Sequence, residues 1–482
     1  MFEFSHSYFR FPEEFEKRLD VLYNDKIYNS IQEKINNSPF EFIPISEAAN
    51  FIKDSRNPIN TPDEEFFYAE IGKVDIVKGK LNPIKMIGKD ATSSRVRRIM
   101  YKDTIIVSTT RPTRKAISLV PAKYDKEICS TGFAVLKPKP GILPEFLFFA
   151  LRTDISKYQF EKYCSGAGYP AINQEVDLPQ ILVPNLDLLL QKQIISNVRK
   201  IQYIALKFEV FAKRALEEAR AYFREQIEVE FDPDDENNYF HRSGTTKKTL
   251  SFYSFPDDLE NRLNYLYYNP KLSIVDKLAT KYSTTTINEI ISEPIKRGNQ
   301  PKYSDDGENK VIKTVDVIDE GIDLEQCLSV DNEFFEDSSE YHVRKGDILL
   351  ASTGIGSMGK VALYESDTPA MCDGHVSIIR VKEDYDPSFI AHFLRSHFGQ
   401  VQIEGLFTGS SGQIELQPVD IRKIVIPDNT DLGVPYLKQV EIANNMDKIL
   451  EKFYTNRNNA KDKWIEADKT FQEYTLGEKS LT

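Results

Sequence analysis

LLLQKQIISNVRKIQYIALKFEVFAKRALEEARAYFREQI, residues Leu188–Ile227, is the stretch whose reading decides the fold. Ile194, Val198, Ile201, Ala205, Phe208, Ala212, Ala215, Ala219 and Tyr222 recur at spacings of three and four. That is the rhythm of a helix burying one narrow stripe against another helix. No Pro or Gly interrupts it, and Lys200, Lys207, Glu209, Lys213, Arg214, Glu217 and Glu218 fill the other faces. A second seam closes the chain, through Ala443, Met446, Leu450, Phe453, Ala460, Trp464, Ala467, Phe471 and Tyr474. Arg457 breaks it, a position where the aliphatic stem can pack while the guanidinium reaches water. Two seams of similar length predict an antiparallel coiled coil of the two helices.

Working outward from the first seam, the chain proves to be duplicated. FPEEFEKRLDVLY at Phe11–Tyr23 returns as FPDDLENRLNYLY at Phe255–Tyr267, an offset of 244 that then holds to within a residue. KDTIIVST at Lys102–Thr109 matches GDILLAST at Gly346–Thr353. PEFLFFALR at Pro144–Arg152 matches PSFIAHFLR at Pro387–Arg395, and VDLPQILVP at Val176–Pro184 matches VDIRKIVIP at Val419–Pro427. Each copy runs into its long helix, with Gln193 aligned to Gln439. Within each half, short β-rich runs alternate with a helix and with glycine-rich turns (Ser165–Gly168, Thr408–Gly412). This predicts an α+β fold. The expected divisions are residues 1–185, a helix at 186–228, an acidic linker at 229–250, a second globular half at 251–433 and a closing helix at 434–482.

Composition narrows the function classes. The chain has 482 residues, enough for more than one core, and a net charge of −12. The opening MFEFSHSYFR lacks the basic and apolar regions of a signal peptide, and no apolar run reaches the length of a membrane span. Cys129, Cys164, Cys327 and Cys372 are scattered, as expected of free thiols in a reducing cytoplasm.

Three motifs invite an enzymatic reading. DILLASTGIGSMGK at Asp347–Lys360 contains G-x-G-x-x-G at Gly354, Gly356 and Gly359. A phosphate loop needs a helix to start there, whereas Lys360–Tyr364 reads as another strand, and the first copy has Thr110-Arg-Pro-Thr-Arg-Lys115 instead. A nucleotide-binding enzyme using Gly354–Lys360 is therefore the weaker alternative. Cys372, His375, His392 and His397 offer zinc-ligand chemistry, but only Cys129 of this set recurs in the first half, so no metal is expected. Asn37-Ser-Pro-Phe40 resembles the target-amine loop of adenine methyltransferases, without a cofactor-binding strand upstream.

What remains is a binding surface. Lys85–Lys115 holds nine cations (Lys85, Lys89, Arg95, Arg97, Arg98, Lys102, Arg111, Arg114, Lys115) against Asp90 and Asp103. A local positive excess inside an acidic protein is the footprint of a polyanion partner, and Arg reads guanine edges bidentately. The second half offers Lys296, Arg297, Gln300 and Lys302, beside a strongly acidic Asp316–Glu340.

Taken together, the residues resemble the specificity subunits of type I restriction–modification systems over almost the whole chain. The resemblance rests on the duplication and the R-L-x-x-L-Y segments that open each half. It rests also on I-x-x-G-x-x-P at Ile295–Pro301, GDILLASTG at Gly346–Gly354, G-S-S-G-Q-I at Gly409–Ile414 and the Lys192-Gln193 and Lys438-Gln439 pairs. The first half departs from the pattern: Ser55 replaces the loop glycine, Thr109-Thr-Arg111 replaces S-T-G, and Gly168-Tyr-Pro170 replaces G-Q-I. The resemblance implies two target-recognition domains, each reading part of a split, asymmetric double-stranded DNA sequence. Two spacer helices would join them, carrying Ile194, Val198, Ile201, Phe208, Met446, Leu450, Phe453 and Trp464. Ile194–Tyr222 would span roughly 43 Å at 1.5 Å per residue, slightly more than one turn of DNA.

It also implies a non-catalytic scaffold for two methyltransferase subunits and for ATP-dependent restriction and translocation subunits. S-adenosylmethionine, ATP and magnesium would then sit on those partners, and no cofactor on this chain. Candidate DNA contacts are Arg56, Lys89, Arg95, Arg97, Arg98, Arg111, Arg114, Lys115, Lys296, Arg297, Gln300, Lys302, Lys360, Ser410, Ser411 and Gln413. A scaffold of the same build in a methylation-based defence system without a nuclease is the second alternative.

Overall fold

The structure, a computed structural model, describes residues 26–166, 170–229, 272–304, 307–318, 321–322, 324, 327–354, 356–410 and 413–481. The two R-L-x-x-L-Y segments, Gly168, Ser411 and all but the first residue of the 229–250 linker lie outside the described residues. The chain divides into two compact units, Met1–Val210 with Asn456–Thr482, and Phe211–Thr455.

The first unit is built around strand Ile105–Ser108, every residue of which is buried. It lies between Phe133–Pro138 and Ile117–Leu119 in an antiparallel sheet that Ala49–Ile52 extends beyond Phe133–Pro138. Such an uninterrupted apolar run demands cover on both faces. Ile105 and Val107 meet Phe146 and Phe149 of helix Pro144–Arg152, while Ile106 faces Phe133, Val135 and Cys129 in a separate cluster. A second sheet orders Ile84–Ile87, Glu65–Ala69, Ile128–Ser130 and Val96–Ile99, with the middle pair parallel. Helix Asp154–Tyr163 follows, its first turn capped by the Thr153 hydroxyl, which accepts from the Ser156 amide.

The second unit repeats this plan. Strand Ile348–Ala351 lies between Val376–Ile379 and Val361–Leu363, with Lys296–Arg297 at the sheet edge. Ile348 and Leu350 pack in one cluster, Leu349 and Ala351 in another. The parallel pair returns as Asn309–Ile312 with Ala370–Cys372, and the helix pair as Pro387–Arg395 and His397–Leu406. The α+β duplication read from sequence is thus a duplication of fold.

Two details of the match between the halves are corrected. Ile105–Ser108 occupies the place of Ile348–Ala351, one residue from the sequence match, because the bond from the Thr109 amide to the Gly132 carbonyl corresponds to that from Ser352 to His375. Likewise Gln191, not Gln193, corresponds to Gln439. Each is fully buried, accepts from the backbone amide ahead of its unit's helix pair (Leu143, Asp386) and donates to the carbonyl before its long helix (Leu186, Val434).

The long helices run over Leu188–Ile227 and Tyr436–Thr475, 40 residues each. In the first unit, Ile194 and Val198 are fully buried with Ala467, Phe471 and Tyr474, and Asn197 donates to the Tyr474 hydroxyl at 3.2 Å. Further along, the Trp464 indole donates to Glu209 at 2.8 Å, so the two segments run antiparallel. Phe471 lies 5.0 Å from Phe146 and 5.6 Å from Phe149, ring to ring. In the second unit, Ala212 and Ala215 pack on Phe453, Asn445 donates to the Tyr222 hydroxyl at 2.9 Å, and Phe223 meets Phe389. Leu450 and Met446 are buried there, whereas Ile201, Phe208 and Trp464 in the first unit are only half-buried. Arg457 is exposed, as its seam position requires of a cation.

Arg152 ties the second long helix to the first unit. Its buried guanidinium donates to Asp468 at 3.0 Å and to the Val77 carbonyl at 2.6 Å. Gly79, at φ +66°, admits this approach, since a Cβ there would lie 2.5 Å from the Phe148 ring. Asp468→Ala leaves a buried cation without its counter-charge and is expected to destabilise by about 3 kcal/mol. Urea unfolding followed by tryptophan fluorescence checks this; an unchanged midpoint would show that the pair adds no stability.

Candidate nucleic-acid interface

The basic segment of the first unit folds so that two of its groups become neighbours. Strand Val96–Ile99 pairs with Ile128–Ser130 on one side. On the other, Ser55 bridges Arg98, and the Arg56 amide bonds the Arg97 carbonyl at 2.9 Å. Arg56, Arg97 and Arg98 are thereby gathered, with Arg95 one step along. Arg95 and Arg97 are exposed, while Arg98 is half-buried and donates to the Ile52 carbonyl. Arg56 pairs with Glu64 at 2.9 Å, a hydrogen bond that holds the Glu64 carboxyl below its ordinary range. Lys89, exposed on the turn Gly88–Asp90, joins this group through Glu64, whose carbonyl accepts from the Gly88 amide.

The second group is the turn after the central strand. Thr110 bridges Ala171, the Arg111 amide donates to the Pro170 carbonyl at 2.7 Å, and the short turn Pro112–Arg114 follows. The link between the groups is continuous: Thr131 bonds the Arg95 carbonyl, and Thr109 bonds that of the adjoining Gly132, both at 2.9 Å. Lys102 does not join them, since the central strand separates it from Arg111. Lys85 is engaged by Glu65 at 2.6 Å.

Arg111 and Lys115 both adopt left-handed backbone, at φ 48° and 57°. For side chains of this kind the conformation costs about 1 kcal/mol or more each. The second unit places Gly354 (φ 87°) and Gly359 (φ 81°) at the corresponding points. The correspondence is fixed by backbone bonds, Arg111 to Pro170 in one unit and Gly354 to Ile414 in the other. Lys115 forms an ion pair with Asp154 at 3.0 Å.

In the second unit the candidates are more dispersed. Arg297 is committed to the fold, donating to the Glu415 carboxylate and, at 2.7 Å, to the Leu416 carbonyl. It thereby braces hairpin Thr408–Ser410 and Gln413–Glu415, in which Ser410 pairs with Gln413. Lys296 pairs with Glu340 at 3.3 Å, while Gln300 and Lys302 are exposed. Gly298 presses so closely on the next strand that a Cβ would lie 1.9 Å from the Cys372 carbonyl oxygen. Ser55 occurs where the loop instead meets Arg98, so the divergent residue marks a different neighbour. The acidic stretch is partly internal: Asp316 is buried and accepts from the Lys313 amide. Glu333, Glu336 and Asp337 are exposed on helix Asn332–Asp337, an element separate from the glycine turn.

The enzymatic motifs resolve differently. Gly354–Lys360 connects antiparallel strands Ile348–Ala351 and Val361–Leu363, with no helix start among its described residues to face a phosphate. Lys360 is half-buried at the end of that turn. His392, fully enclosed on its helix, bonds Asp447 of the second long helix at 2.9 Å, and His375 bonds the Thr353 hydroxyl. Among the described residues no three His, Cys, Asp or Glu are grouped to hold a metal ion. Nor, among them, is any helix long and apolar enough to cross a membrane. Asn37-Ser-Pro-Phe40 is a turn whose Ser38 hydroxyl donates to the Thr475 carbonyl.

Residues 279–466 match the family model described as Type I restriction modification DNA specificity domain. Among solved structures, the chain is similar to the HsdS subunit from Thermoanaerobacter tengcongensis (18% identity, TM-score 0.37, covering 91% of this chain and 97% of that one). It is similar also to the Type-I restriction-modification system S subunit from M. genitalium (14% identity, TM-score 0.38, 90% and 96%). No curated protein sequence matches. The second half is thus similar to a DNA specificity domain. The family match covers residues 279–466, and the fold of the first unit repeats that of the second.

One pH dependence follows from the buried histidine. Burial holds the His392 imidazole below its ordinary value, against the pull of Asp447. Burial raises the Asp447 carboxyl, but its bonds to His392 and Ser388 outweigh this and leave it lowered. The unfolded chain takes up a proton on this histidine near pH 6.5 while the folded chain resists it. Stability is thus expected to fall on acidification below about pH 6.5, and Asp447 adds its loss only at much lower pH. A urea midpoint lower at pH 5.5 than at 7.5, with the difference reduced in His392→Gln, is the expected outcome; an unaltered difference would contradict it.

Proposed function

We propose that the two halves read the two parts of a split, asymmetric DNA target, the first through the cationic surface formed by Arg56, Lys89, Arg95, Arg97, Arg98, Arg111 and Arg114. The observation that carries this reading is the gathering of those residues at neighbouring backbone positions in an otherwise acidic chain. Local charge of one sign, interleaved with Ser and Thr, supplies phosphate contacts that fix register, and Arg supplies base readout. In functional terms residues 1–185 and 251–433 are the recognition domains. The segments 186–228 and 434–482 are spacer helices, and 229–250 is a linker.

The chain itself is a non-catalytic cytoplasmic scaffold. Two methyltransferase subunits dock on it, and ATP-dependent restriction and translocation subunits join them. S-adenosylmethionine, ATP and magnesium act on those partners. The second domain relies less on charge, with Lys302 and Lys360 its candidate phosphate contacts and the Thr408–Glu415 hairpin its candidate reading element.

Titration of the full-length chain against duplex DNA at several salt concentrations tests the surface. Replacing Arg97, Arg98 and Arg114 together with Ala is expected to weaken binding roughly tenfold or more. The salt slope should drop by about one for each phosphate that is no longer neutralised. Unaltered affinity at moderate salt would show that the patch is only a solvated face.

A further inference from the structure

We propose that His375 is a specificity-determining residue of the second half, its imidazole donating one hydrogen bond to the edge of a purine base. This rests on the DNA-reading role of the two halves and names one residue that discriminates.

The position joins the elements of the second unit proposed to meet DNA. His375 leads into strand Val376–Ile379, and its carbonyl accepts from the Ser352 amide at the end of the central strand. Next to Ser352, Thr353 bridges Glu415 of the hairpin. Two residues before His375, Asp373 bridges Asn299 of the loop that carries Gln300 and Lys302. His375 is exposed at this junction, and Gln300 and Lys302 are exposed on the loop. In the first unit the same point is Gly132, where a Cβ would lie 2.8 Å from Ile71. That unit gathers its arginines on either side of the glycine, Arg95 through Thr131 and Arg111 after Thr109. The second unit places a side chain at the point itself.

His375 is exposed and yet held. Besides its carbonyl bond, its amide donates to the buried Asp373 carboxyl at 2.9 Å, and ring Nδ1 bonds the Thr353 hydroxyl at 3.0 Å. Fixing an exposed ring costs rotamer entropy that a solvated bond returns only in part. A ring fixed in advance is what a reading contact needs. The other ring nitrogen, Nε2, makes no hydrogen bond among the described residues. With the Thr353 hydroxyl donating to Nδ1, the proton sits on Nε2, which is then a donor. The acceptor that suits it is N7, which both purines display in the major groove and pyrimidines lack. A single donor at that place separates purine from pyrimidine without separating adenine from guanine. The second half thereby reads DNA with a neutral group where the first uses arginines.

The test uses the full-length chain to select duplexes from a randomised pool, followed by titration of the selected duplex. With the wild-type chain, one position in one part of the motif is expected to be either purine. With His375→Asn that position is expected to accept all four bases while the rest of the motif is retained. Asparagine keeps a polar atom where Nδ1 stands and has none at Nε2, so the melting temperature is expected to hold. Replacing that purine with its 7-deaza form is expected to weaken wild-type binding about 2- to 12-fold, the range of one hydrogen bond. The same replacement is expected to leave the affinity of His375→Asn unchanged. Thr353→Val, which releases the ring without altering it, is expected to blunt the same preference and stands in should the asparagine variant misfold.

A motif and a 7-deaza response identical in wild type and both variants would overturn the proposal. So would a uniform loss across all sequences with a salt slope reduced by about one, since that is the signature of a phosphate contact. Failure of the wild-type chain to select any motif would instead overturn the DNA-reading role itself.

Discussion

Neither half of this protein closes its core with its own globular segment, and everything else depends on how the gap is filled. In the first unit the missing wall is Ala467, Phe471 and Tyr474, from the far end of the chain. In the second it is Ala219, Phe223 and Ile227, from the end of the first long helix. Phe471 against Phe146 and Phe223 against Phe389 are the same contact made twice. A helix within a protein gains most of its stability from such packing. The seam is therefore part of two cores rather than an appendage to them. Partly buried polar pairs add orientation: Asn197 with Tyr474 and Asn445 with Tyr222 fix register where apolar packing alone would permit sliding.

On this shared frame the two copies have diverged where function would direct it. The buried glutamines, the parallel strand pair and the helix pair are retained, because each satisfies a backbone or core requirement. The loops differ in kind. The first copy carries arginines on a strand edge and a strained turn, the second glycines on the turn and a braced hairpin. One scaffold with two different surfaces is what the proposed reading of a split DNA target calls for.

Much of this was legible in the sequence because periodicity and duplication are physical signals. The first helix runs over the span its seam marks, and the strand that follows Gly346 is buried on both faces as its apolar run requires. The glycine motif at Gly354–Gly359 was readable as a strand connection because Lys360–Tyr364 reads as a strand where a phosphate loop needs a helix, and Val361–Leu363 is one. Other features lay beyond the sequence. The exact match between copies slipped by one residue since Asp103, not Lys102, takes the conformation of Gly346, and nothing in composition reveals backbone sign. Arg297 reads as a free cation, yet its role is to hold Glu415, a partner more than a hundred residues away. The buried bond from Arg152 to Asp468 was invisible for the same reason. Long-range pairing of charges leaves no local pattern.

Whether this chain confers DNA sequence specificity through two half-readers is tested most directly by sequencing methylated bases in cells that carry the proposed methyltransferase partner, with and without this gene. The predicted result is a split motif, two defined parts separated by a fixed gap of a few base pairs, methylated only when the gene is present. A methylation pattern indifferent to the gene would contradict it.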